Sequence, residues 1–166
     1  MGIADDETKL LTTQQIDTAP VAFHSYQKLA TDLVASLSEV NNSCKCNRHD
    51  KAVYDAQTIV ELSLKELLKA LNVKFELVHN PDPHLITKSD IDLNIKEEDL
   101  ARLKMIIDTL ASWRGRARYG DNASVSSSEI FSDVESTAAA KWAKEMLLVC
   151  LDATHKVLLT RLKRSQ

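Results

Sequence analysis

Residues 48–71 read RHDKAVYDAQTIVELSLKELLKAL, and their spacing decides the fold class. Val53, Ala56, Val60, Leu64, Leu67 and Leu71 recur at steps of three and four, which lines one face of an α-helix. Asn47 stands ahead of the run as a cap, and Asp50 places a carboxylate near the positive pole of the helix dipole. An apolar stripe this regular must be buried against other stripes, and the flanking sequence supplies them.

Upstream, Ala22, Tyr26, Leu29, Leu33, Leu37 and Val40 repeat the same steps behind Pro20, with Thr18 placed as a cap. Asn41-Asn42-Ser43 is expected to stop this first helix. Downstream, Pro81 and Pro83 interrupt any helix between Asn72 and Leu93. That stretch reads as a long connection with one short helical turn near Leu85. Connections of this length in a compact domain often carry function. Asn94, with Glu97 three residues on, then opens a third helix through Leu100, Leu103, Ile107 and Leu110 toward Tyr119. Gly120-Asp121-Asn122 ends it, and the Ser-rich stretch 124–128 is expected to be a loop. Ser132 and Glu135 form a capping box for a last helix over about 133–163, whose apolar positions include Ala138, Trp142, Met146, Val149, Ala153 and Val157. Arg161, Lys163 and Arg164 suit its negative pole.

The expected fold is therefore all-α: an up-and-down helical bundle of four main helices with a long connection between helices 2 and 3. Residues 1–17 form a flexible N-terminal arm, and 18–166 a single domain. With 166 residues, 44% of them hydrophobic, the chain can bury its own core. Three Gly and three Pro are too few for a turn-rich β sandwich.

A formal charge of −3 excludes a protein that coats nucleic acid through net positive charge, although a local basic site remains open. No apolar run approaches the roughly 20 residues of a membrane span, and the polar start Met1–Thr8 does not read as a signal peptide. Three cysteines make no disulfide framework, so the expected setting is a reducing cytoplasm. Cys44, Cys46 and His49 offer three metal ligands at most, where structural zinc takes four, and they read as ordinary loop side chains. Neither a metal nor a cofactor is expected.

Chemistry concentrates in Trp113-Arg114-Gly115-Arg116-Ala117-Arg118-Tyr119. At about 100° per residue, Arg114 and Arg118 share a face and Arg116 points away. The stripe Leu103–Ile107–Leu110 runs onto Arg114 and, at its margin, Arg118. Guanidinium groups on an inward face need partners, either carboxylates of the second helix such as Glu61 or the phosphates of a ligand. Gln57 lies within the apolar stripe and Glu61 at its edge one turn later. They form an interhelical hydrogen-bond network or line a pocket facing the arginines. Three cations anchoring a helix C-terminus is the plainer reading of the same residues. His79 and His84 flank the two prolines in the connection. No Gly-rich phosphate loop, Gly-x-Ser-x-Gly or paired His on one helical turn is present, so the residues favour binding over catalysis.

Several of these pieces occur in a recognisable order. The Gln57/Glu61 pair precedes Leu64-Lys65-Glu66-Leu67-Leu68, Val73-Lys74-Phe75 and His84-Leu85-Ile86 follow, and Ala117-Arg118-Tyr119-Gly120-Asp121 closes the third helix. Glu129-Ile130-Phe131-Ser132 and an Ala-rich turn open the last one. Over residues 50–160 the chain resembles the HEPN (higher eukaryotes and prokaryotes nucleotide-binding) domain family. The resemblance implies a helical bundle, frequently a homodimer. It also implies a toxin–antitoxin or defence setting with a nucleotidyltransferase partner, and a nucleotide or RNA ligand at Arg114, Arg118, Tyr119, Gln57, Glu61 and His84. Some members are metal-independent ribonucleases that use an Arg followed a few residues later by His. Here the positions after Arg114, Arg116 and Arg118 hold Tyr119, Asp121, Ala123 and their neighbours instead. The resemblance thus favours a binding or partner-docking domain. Two alternatives stand beside it: a ligand-free homodimer built on Leu147, Leu151 and Leu158 of the last helix, and a ribonuclease with an irregular site such as His84 with Arg118.

Overall fold

The computed structural model describes residues 19–120 and 126–166. The arm over 1–17, the Thr18 cap, the side chain of Ala22 and the Asp121-Asn122 stop lie outside the described residues. In chain order the elements are α1 (Ala19–Lys45), α2 (His49–Ala70), a 3-10 turn (Pro83–Lys88), α3 (Glu97–Tyr119), a short α4 (Ser127–Ile130) and α5 (Asp133–Arg164). No strand occurs among the described residues, and none of their helices is long and apolar enough to cross a membrane.

α2 is the centre of the molecule and packs against α1, α3 and α5. All six residues of its expected stripe are buried, and so are Ala52, Ile59 and Leu68 beside them. Side-chain contacts give the helix directions. Cys44, at the end of α1, and His49, at the start of α2, both meet Ser136 in the first turn of α5. Arg161, near the end of α5, donates to the carbonyl of Ala70 at the end of α2 (2.8 Å). Arg102, early in α3, pairs with Glu145, whereas Trp113, late in α3, stacks on Phe131 and Trp142 with 5.9 Å between ring centres. Hence α1 and α3 run one way and α2 and α5 the other. The up-and-down bundle is the observed architecture.

The helix ends differ from expectation in an instructive way. α1 does not stop at Asn41-Asn42-Ser43 but continues to Lys45, and Asn47 closes it. Asn47 adopts a left-handed conformation, φ 56°. The amides of Asn47 and Arg48 then return to the carbonyls of Cys44 (3.2 Å) and Ser43 (2.9 Å), satisfying the last turn of the helix. So Asn47 is the stop of α1, not the cap of α2, which begins behind Arg48 without a side-chain cap. Asn72 repeats the arrangement after α2, with φ 57° and returning bonds to Lys69 and Leu68. Asn94 is also left-handed, φ 52°, and α3 starts after Lys96 rather than at Asn94. Asparagine tolerates this region better than other residues with a Cβ, and a sequence pattern does not distinguish that use from capping.

The connection carries its short helical turn around Leu85 as expected, and Ile86 and Ile91 anchor it in the core. The stretch read as a loop runs at its end into a helical turn, Ser127–Ile130, because Ser126 and Glu129 form a capping box. The Ser132–Glu135 box opens α5 as read. Along α5 the expected Met146, Ala153 and Val157 are buried, together with Ala139, Ala143, Cys150 and Thr154, whereas Ala138 and Trp142 are half-buried and Val149 is exposed. Leu147 and Leu158 are buried and Leu151 is half-buried. The large apolar residues that α5 shows to solvent are Val134, Leu148, Val149 and Leu159.

Candidate nucleotide-binding site

Tyr54, Gln57, Glu61 and Lys65 follow one another on α2 at steps of three, four and four, a polar line beside the apolar stripe. Opposite them stands the C-terminal part of α3. Arg114 donates through Nε to Gln57 Oε1 (3.0 Å) and through an Nη to the Tyr54 hydroxyl (2.9 Å). Arg118, one turn later, donates to the same hydroxyl at 3.0 Å. Both guanidinium groups also lie over the Tyr54 ring, 4.8 and 5.6 Å from its centre. On its other side Arg118 is 5.4 Å from the ring centre of Tyr119, which is 76% exposed. Arg116, on the opposite face of α3, rests over Phe131.

Two cations therefore share one neutral oxygen. Among the described residues no carboxylate stands within ion-pair distance of either. Glu61, one of the two kinds of partner open to them from the sequence, is engaged elsewhere. It accepts from Lys65 (2.6 Å), from Gln57 Nε2 (2.8 Å) and from His79 Nδ1 (2.9 Å). Burial raises the Glu61 pKa, but the bonds from Lys65, Gln57 and His79 outweigh it and the net shift is downward, so the group stays ionised. Gln57 is fully buried. Its Nε2 also donates to the backbone carbonyl of His79 (3.2 Å), so both ends of its amide are in use. Gln57 thus meets Arg114 directly, and Glu61 reaches it through Gln57.

His84 is elsewhere. Its ring joins Asp82 (2.9 Å) to Glu97 (2.8 Å) at the first turn of α3. At about 1.5 Å of rise per residue, that is roughly 25–30 Å along α3 from the arginines. The structure does not bring His84 and Arg118 together. Cys44 and His49 both turn onto Ser136 (3.5 and 2.7 Å), while Cys46 is exposed. No group of three potential metal ligands occurs among the described residues.

The residue that sequence reasoning missed is Tyr54. The signal was present in its place at the head of the Tyr54–Gln57–Glu61 line, which shares a face with two residues that had been singled out.

No curated protein and no solved structure gives a significant match to the chain. A family model described as HEPN domain matches residues 34–158, from the second half of α1 to near the end of α5. That span takes in α2, the connection and α3, and with them every side chain of the arginine site. The chain belongs to the HEPN domain family.

Proposed function

We propose that this HEPN domain binds a nucleotide or single-stranded RNA at the Tyr54–Arg114–Arg118–Tyr119 end of α2 and α3. One observation carries the reading: two adjacent guanidinium groups converge on a single neutral hydroxyl and meet no carboxylate among the described residues. Like charges held this close favour an anion beside them. Phosphate suits the planar donors of arginine, and the exposed Tyr119 ring offers a stacking face for a base. The family, usually nucleotide- or RNA-related, is consistent with this ligand class.

The test is fluorescence anisotropy with a labelled single-stranded oligoribonucleotide, competed by ATP. Arg118→Ala is expected to retain the helical circular-dichroism spectrum and to lose binding. For an RNA ligand the salt dependence should also become shallower by about one phosphate contact. Tyr119→Ala should cost about 1–3 kcal/mol through lost stacking. Wild-type protein that binds neither RNA nor ATP, together with an Arg118→Ala variant that unfolds, would make the arginines structural.

A second reading, a protein-interaction homodimer or a nucleotidyltransferase partner in a toxin–antitoxin setting, draws on the apolar residues Leu148 and Leu159 exposed on α5. Light scattering tests it, and a monomer at high concentration counts against the homodimer.

A further inference from the structure

The polar contacts continue past the arginines into the connection between α2 and α3. Arg114 is held by Gln57, Gln57 by Glu61 and the His79 carbonyl, and Glu61 in turn by Lys65 and the His79 ring. An amide can present either its oxygen or its nitrogen to a neighbour. Here Nε2 is committed to two acceptors, Glu61 Oε2 and the His79 carbonyl, so only Oε1 faces the guanidinium. The reverse orientation would set donor against donor. His79 contributes to both constraints, since its backbone carbonyl accepts from Gln57 and its ring holds the carboxylate that does the same. Yet His79 sits on the connection, with its side chain 56% exposed, and is not part of a helix.

We propose that His79, Glu61 and Gln57 are positioning residues that couple docking of the connection to anion binding at Arg114. This rests on the phosphate-binding reading above. With the connection docked, Gln57 offers Arg114 its oxygen and fixes the guanidinium without neutralising it, as a carboxylate would. When the connection lifts, Glu61 loses the His79 ring and the Gln57 amide loses one of its two acceptors. Gln57 is then oriented by Glu61 alone and holds Arg114 less firmly. The coupling is reciprocal, because whatever favours the docked connection strengthens the site and an occupied site favours docking. A partner that grips residues 74–82 would therefore tune ligand affinity from outside the site.

The experiment uses the full chain and a labelled single-stranded oligoribonucleotide, with inorganic pyrophosphate as a second probe. The variants are His79→Ala, on an exposed side chain, and Glu61→Gln, which keeps the size of the buried group. Affinity should fall at least about five-fold in His79→Ala, with unchanged circular dichroism and melting temperature. In the wild-type chain, adding probe should slow amide hydrogen exchange at Leu77–Asn80, and this protection should vanish in Glu61→Gln. A purely structural role for His79 would lower stability without making exchange in the connection depend on ligand. If the wild-type chain binds and Arg114→Ala does not, but His79→Ala binds like wild type, the coupling is wrong and the phosphate reading stands. If the wild-type chain binds neither probe, both fall together.

Discussion

At the scale of single residues, Tyr54 organises the site more than any other side chain. Its ring lies under two guanidinium groups and its hydroxyl accepts from both. Hydrogen bonds that involve a charged partner contribute about 1.5–3 kcal/mol each, and cation–π contacts contribute less at exposed positions. Tyr54→Phe keeps the ring and removes the oxygen. It is expected to lower stability in urea denaturation by about 1–3 kcal/mol and to weaken anion binding, since both cations lose a fixed partner. An unchanged midpoint and affinity would show that the ring alone holds them. The arginines and the Gln57–Glu61 pair are legible in the helical periodicity of α3 and α2. Tyr54 lies beside the Val53–Ala56–Val60 stripe and not on it, so the spacing of apolar residues does not single it out. Glu61 meets Lys65, one turn away on its own helix, and His79, which arrives from a loop whose path no spacing rule predicts.

At the scale of elements, the four long helices were legible because each carries a stripe that one packing face explains. Their ends were less so. Ser132 and Glu135 announced the start of α5 through side-chain chemistry that is local in sequence. Asn47 did not announce its role, because the same residue type caps a helix start and closes a helix end. The left-handed backbone predicts the mutants. Asn47→Gly should be neutral or slightly stabilising, while Asn47→Ala should lose about 1–2 kcal/mol from the left-handed backbone. Urea denaturation of the pair checks it. Comparable losses in both variants would count against the left-handed conformation as the reason for Asn47. The wider buried face of α5, which keeps Met146, Ala153 and Val157 but leaves Val149 exposed, has a related cause. This helix meets α1 and α2 at once, so the residues it buries depend on two neighbours and not on its own periodicity alone.

At the scale of the whole molecule, ionisable groups shape how stability varies with pH. Hydrogen bonding to Glu97 and to Asp82 raises the His84 pKa above 6.5. A raised folded-state pKa gives stability that is fully present below 6.5 and is lost as pH rises through the folded value. Glu66, pushed up by burial, weakens the fold in the same sense as it ionises. The opposite holds for Glu129, Glu135 and Glu145. Their pKa values are lowered by bonds from Ser126, Ser132 and Arg102 respectively, so their contribution is lost as pH falls through the lowered values. Melting temperature should therefore peak on the mildly acidic side of neutrality. His84→Asn should flatten the decline toward alkaline pH, and a profile identical to wild type would remove His84 from the account.

The aromatic stack between α3 and α5 has a practical side. The chain contains two tryptophans. Trp113 packs against both Phe131 and Trp142, and it precedes Arg114 in sequence. Intrinsic fluorescence from unlabelled protein thus originates at one end of the bundle, beside the proposed site. The opposite end, where His84 ties the connection to α3 and Arg161 joins α5 to α2, contributes no indole emission. Comparing the emission melt with the loss of helical ellipticity asks whether the two ends open together. A gap between the curves would identify the end that yields first.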